Sequence, residues 1–217
     1  MTQQIDTTDM VMVHRVFRRE LALLPDLVRG AAGDTARAQR VGTHATDLLG
    51  FLHDHHAGED ELIWPKLRER VALEADLIAR MQAQHDGVAE HIQALEADLP
   101  TWTSNADATL GERIATTVAA LRAALVAHLD EEERSILPLV ATTFTGPEWG
   151  ELGEKGFAAI AKNRRLITLG HILEDADEQE RRAFLAHLPA PARIAWRLLG
   201  RKQFAKETAA LRIPAQR

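Results

Sequence analysis

Two segments of the chain carry the same pair of potential metal ligands. His55-x-x-x-Glu59 lies within FLHDHHAGEDELIWPKL and His128-x-x-x-Glu132 within ALVAHLDEEERSILPLV, and each Glu is followed six residues later by proline. Slid by 73 residues, Leu52, His55, Glu59, Ile63 and Pro65 fall on Leu125, His128, Glu132, Ile136 and Pro138. A lone histidine repeats at nearly the same offset, since His14 with Phe17, Leu21 and Leu24 maps at 71 residues onto His85 with Val88, Ile92 and Leu95. Each half offers one lone His and one His/Glu pair. Four imidazoles and two carboxylates are enough donors for two metal ions.

Residues four apart on a helix lie about 40° apart around its axis, so each His/Glu pair projects from one face. Those faces are otherwise apolar: Leu48, Leu52 and Leu62 flank the first pair, and Leu121, Leu125, Ile136 and Leu139 the second. A carboxylate in such a seam loses several kcal/mol of solvation unless it is paired or metal-bound, and a metal removes that cost. A lone seam histidine is usually a hydrogen-bonded core residue, and an i,i+4 pair usually surface decoration. Their joint recurrence at matched offsets favours a metal site. His56 and Asp60 form an equally spaced alternative pair, pointing about 100° away. The alignment of Pro65 with Pro138 favours the register His55/Glu59. His44 and His53 are read as surface or supporting residues, His171 as a packing histidine, and Glu133 as a support for a ligand.

These residues resemble the hemerythrin-like, HHE cation-binding family, whose signature is H, HxxxE, H, HxxxE on successive helices. His14, His55/Glu59, His85 and His128/Glu132 match it in order over about residues 8 to 143. The resemblance implies a non-haem diiron centre, oxo- or hydroxo-bridged, with both carboxylates bridging two iron ions. Oxygen-carrying hemerythrins have HxxxH on the third helix, whereas Ala89 follows His85 by four residues and Met81 precedes it by four. His91, six residues on, lies about 240° round the helix and off the seam. One imidazole is therefore expected to be missing, leaving a position for water, peroxide or nitric oxide.

Four long helices must carry these ligands. The pattern predicts helices over residues 8 to 31, 34 to 71, 74 to 99 closed by Pro100, and a fourth capped by Ser104 or Asn105 and running to 143. Strand signals are missing. The expected class is all-α: an up-down-up-down four-helix bundle over residues 1 to 144 and a helical C-terminal extension over 145 to 217. The extension is expected to pack through Leu166, Leu169, Ile172, Leu173, Ile194, Leu198 and Leu199, with Trp196 at an edge.

Composition narrows the chemistry. There is no Cys, which removes disulfides, thiolate metal sites and cysteine nucleophiles, and no Tyr to store a radical. No glycine-rich phosphate loop occurs, and no run approaches the ~20 apolar residues of a membrane span. Residues 1 to 150 hold 13 Lys+Arg against 24 Asp+Glu, whereas residues 151 to 217 hold 13 against 8. The basic tail is read as packing on the acidic bundle, with neither nucleic acid nor membrane as partner and a homodimer through the extension as a further expectation. Ferritins and diiron oxygenases use Glu-x-x-His, which this chain lacks. The expectation is a cytoplasmic protein, without a signal peptide, reacting with peroxide, NO or O2 in oxidative or nitrosative stress defence. Whether it turns these over, carries or senses them, or senses iron stays open, and no catalytic residue beyond the ligands is assigned.

Overall fold

A computed structural model of the 217-residue chain describes residues 4 to 212, and among these every regular element is helical. Helix α1 spans Thr8–Arg29. Helix α2, Thr35–Leu62, starts where the Asp34 side chain accepts the Arg37 amide, satisfying one of the donors a helix start leaves free. A short α3, Trp64–Arg70, leads to α4, Ala75–Asn105. Helix α5, Ala108–Glu131, is capped by Asp107, which accepts from the Leu110 amide, and runs through a π-turn at Glu132–Ile136 into α6, Leu137–Thr143. The rest is α7 (Gly146–Ala159), α8 (Arg165–Glu174), α9 (Glu178–His187), α10 (Ala190–Ala195), a π-turn at Trp196–Gly200 and α11 (Arg201–Arg212).

Several boundaries differ from the sequence expectation, and the fourth long helix is capped by Asp107 instead of Ser104 or Asn105, which lie in the last turn of α4. The second helix stops at Leu62 because the Pro65 ring has no N–H and crowds the carbonyl four residues back, so the chain restarts as α3. Pro138, its counterpart, stands in the first turn of α6 just past the π-turn, and no break follows it. Pro100 does not close α4, which continues to Asn105. Trp102, fully buried, holds that extra turn down against Gly111, where a Cβ would stand 3.0 Å from the indole Nε1. Ala106 then turns left-handed (φ 52°) and ends the helix.

Helix α1 packs on α2 and α5, and α4 packs on the same two, closing a ring of four long helices. The interior is divided along its length. One apolar cluster gathers Phe17, Leu21, Leu52, Val88, Leu125 and Leu129, and a second gathers Met10, Ile63, Trp64, Met81, Ile136 and Trp149. His55, His56 and Glu59 on α2, His85 on α4 and Glu132 after α5 fall between residues of the two clusters, while His14 and His128 sit at the edge of the first, beside Met12 and Leu129.

Helix α7 packs on α2, and α8 and α11 pack on α1, α2 and each other. Leu169, Ile172, Leu173, Trp196 and Leu211 join the first cluster, so one continuous core links the ring with the helices that follow. Trp196 is inside, while Ile194, Leu198 and Leu199 face solvent, a reversal of the expected contacts. No helix among the described residues is long and apolar enough to cross a membrane.

Leu173, 3% exposed, reports on this shared core. Leu173→Ala is expected to cost about 2–5 kcal/mol and to lower the melting temperature in one cooperative transition. Two separate transitions, with only a minor one displaced, would show that the extension unfolds independently.

Candidate metal centre

The polar layer is fully enclosed. His14, Glu59, His128 and Glu132 have no exposed surface, His85 and His56 are 5% and 6% exposed, and the His55 side chain is 8% exposed. Their donor atoms converge in two groups: His56, Glu59, His85 and His128, and His14, His55, Glu59 and Glu132, all ligand atoms within a group lying within 4.8 Å of one another. Glu59 belongs to both. Its Oε1 is 3.1 Å from His55 Nε2 and its Oε2 is 3.3 Å from His85 Nε2. Glu132 also reaches both ways, with Oε2 3.3 Å from His14 Nε2 and 3.7 Å from His128 Nε2. The His85 and His128 Nε2 atoms are 3.2 Å apart.

Acceptors behind three of the rings set their orientation. His14 Nδ1 lies 2.8 Å from Glu133, His85 Nδ1 2.9 Å from Asp60, and His128 Nδ1 3.0 Å from the Gln84 carbonyl oxygen. A carboxylate or amide oxygen calls for a proton on Nδ1, which leaves the Nε2 lone pair facing the centre, as metal-binding imidazoles require. These acceptors are themselves held. Arg18 donates to Glu133 at 2.6 Å and to Asp130 at 2.7 Å, and Gln84 donates to Glu131, which also receives Arg80.

Without a metal the layer is electrostatically unfavourable. Burial, then the neighbouring Glu59, pushes the Glu132 carboxyl up to about 8, and burial also raises Glu59. Burial, then the other imidazoles, drives His55 and His56 well below the usual histidine range and lowers His128 to about 3. Burial opposes the charge on His85 as well, but the hydrogen bond to Asp60 and the Glu59 carboxylate 3.3 Å away outweigh it and hold the ring at about 9. Both oxygens of Glu59 and of Glu132, and Nε2 of His14, His55 and His56, are buried without a hydrogen-bond partner. Buried polar atoms are normally satisfied, and orphans on facing ligand atoms are what a pair of cations would complete. The all-N,O donor set suits iron.

A third convergence, Glu20, His171 and Glu174, is of another kind. Glu20 is completely buried, 3.1 Å from His44 Nε2 and 3.2 Å from His171 Nδ1, and receives Arg19 and Arg212 at 2.7 Å each. Burial raises its pKa, but hydrogen bonds from His171 and His44 prevail and hold the carboxylate well below the ordinary range. Arg19 and Arg212 also pair with Glu174, so two guanidinium groups stand where a cation would have to sit. This is an ionic clamp joining α1 to α8 and α11.

The structure brings His14, His55, Glu59, His85, His128 and Glu132 together and adds His56. The choice between His55 and His56 does not arise, since α2 points its edge at the layer and both adjacent rings enter it, one in each group. Asp60 joins neither group and orients His85 instead. His56 also changes the count of imidazoles. Its ring stacks on His85 with centroids 3.9 Å apart, which places a fifth imidazole in the layer, from α2. The signal in the sequence was the doublet His55-His56 beside a third helix with one histidine too few. His44, read as a surface or supporting residue, is buried at the Glu20 clamp, and His91 lies outside both groups.

Two buried His/Glu groups sharing a carboxylate, set in a ring of four helices, define a helical metal-binding protein. The family model for the hemerythrin HHE cation binding domain matches residues 6–140, and the chain belongs to that family. No curated protein and no solved structure matches it.

His56→Ala is expected to weaken the second metal equivalent by about tenfold or more, while His91→Ala leaves both in place. Equal metal content in the two variants would remove His56 from the ligands. The pKa shifts give a pH test. Glu132, raised from 4.5 to about 8, and His85, raised from 6.5 to about 9, both favour the protonated metal-free fold. That stability is present below their unfolded values and is lost as pH rises through 8 and 9. Metal displaces those protons, so the gap in melting temperature between metal-loaded and metal-free protein should widen from pH 6 to pH 9. A gap that narrows would contradict the assigned directions.

Proposed function

We propose that the chain is a non-haem diiron protein of the up-down-up-down hemerythrin-like bundle type, over residues 1 to 144, that consumes peroxide or nitric oxide in oxidative or nitrosative defence. The observation that carries this reading is Glu59, whose two oxygens face different histidine groups as a bridging carboxylate must. Glu59 and Glu132 would bridge, with His56, His85 and His128 on one iron and His14 and His55 on the other. When bound, an iron pair would supply redox equivalents and a coordination position for a small ligand.

The protein's own groups do the rest. Glu133, Asp60 and Gln84 hold three Nε2 atoms toward the centre and keep the Nδ1 protons in place. Asp60, half-exposed at 46%, gives the His85 Nδ1 proton a route to solvent. The apolar clusters above and below the layer exclude bulk water, which favours small uncharged ligands such as O2, NO or H2O2 over anions.

Anaerobic reconstitution with ferrous iron is expected to give two metals per chain, and optical spectra should then change on adding H2O2, NO or O2. Consumption of many equivalents per site supports the enzymatic reading. A stable stoichiometric adduct without turnover would reassign the protein to reversible binding or sensing, and one metal per chain would remove the dinuclear site.

A further inference from the structure

Part of the positive charge of the tail is paired on the acidic bundle, where Arg164 and Arg212 meet the carboxylates of Asp47 and Glu20. The segment 189 to 206 behaves differently. It holds five cations, Arg193, Arg197, Arg201, Lys202 and Lys206, and no carboxylate at all. Arg193 donates only to the Ala186 carbonyl, and Arg197, Arg201, Lys202 and Lys206 have no ion-pair partner among the described residues. All five are exposed. Between them stand Ile194, Leu198 and Leu199, 56%, 69% and 63% exposed.

Packing fixes these side chains outward. Trp196 is buried beneath the π-turn and lies against Gly200, where a Cβ would come within 2.3 Å of its ring. With the indole pinned inward, Leu198 and Leu199 have only solvent to face. A helical stretch presenting aliphatic side chains amid unpaired cations has the composition of an interfacial helix, whose apolar residues enter the headgroup boundary while Lys and Arg meet lipid phosphates.

We propose that the face formed by Ile194, Leu198 and Leu199 with the surrounding cations docks this protein on the surface of an anionic phospholipid bilayer. Charge complementarity selects that occupant, because a second copy of this cationic face would repel it. Area points the same way. A stable protein interface needs roughly 800 Å² per partner, more than three aliphatic side chains can offer, whereas a bilayer needs no matching surface. The net negative charge of the bundle does not prevent docking, since beyond about 8 Å it is screened at physiological salt. The reading is independent of the metal centre.

The test is co-sedimentation of the full-length protein with vesicles of phosphatidylcholine alone and of phosphatidylcholine with phosphatidylglycerol in equal parts. Wild type is expected to partition at least about tenfold more strongly onto the anionic vesicles, with the difference collapsing at high salt. Leu198→Asp combined with Leu199→Asp should lower that partition about tenfold, and Arg197→Gln with Arg201→Gln should also weaken it, with melting temperatures unchanged because all four side chains are exposed. Three results would overturn the proposal: no binding to anionic vesicles, undiminished binding by the leucine variant, or capture by duplex DNA or self-association through this face in place of vesicle binding.

Discussion

Glu59 and Glu132 are enclosed without solvent contact between two apolar clusters, and their charge dominates the energetics of everything around them. Each carboxylate would lose several kcal/mol of solvation in that layer if left uncompensated. The surrounding imidazoles, His85 included, do not compensate it, as the raised pKa of both acids shows. Two cations would. The helical ring therefore supplies a preformed cage in which the ligands have already lost their water, and hydrogen bonds behind the rings hold the lone pairs in place. Binding of metal in such a cage is coupled to proton release and to folding stability at once.

The repeated His-x-x-x-Glu with proline six residues on acquires a structural sense. On α2 the proline breaks the helix just beyond Glu59; on α5 it accompanies a π-turn that begins at Glu132 itself. π-turns are frequent at functional sites because they re-aim one residue without ending the helix. Both halves thus depart from a regular helix just past the ligand carboxylate. The departures are unequal, as are the two ligand groups, with three imidazoles against two.

Much of this was legible in the residues, because a period of 3.6 and an i,i+4 pair act within one helix. The helical class, the four long segments and the seam carrying His14, Glu59, His85, His128 and Glu132 all follow from such local rules. What escaped depends on contacts between helices. A single helix offers no reason for both His55 and His56 to face inward, which follows only once α2 sits between α1 and α4. Pro100 reads as a stop until Trp102 is seen packed on Gly111. Trp196 reads as an edge residue, and Leu198 as core, until the π-turn rotates one in and the other out. The Glu20 clamp joins residues more than 150 positions apart and leaves no spacing to find.

That clamp also bears on how the protein is made. Glu20 is made together with Arg19 and shortly before His44, yet its other partners, His171 and Arg212, follow more than 150 residues later. All the candidate ligands precede residue 133, so a nascent chain can assemble the metal layer while a buried carboxylate on α1 still waits for His171 and Arg212. Helix α11 thus closes back on α1, which carries both His14 and Glu20, and the middle of α1 gains the Arg212 countercharge only once the final turn of α11 has been made.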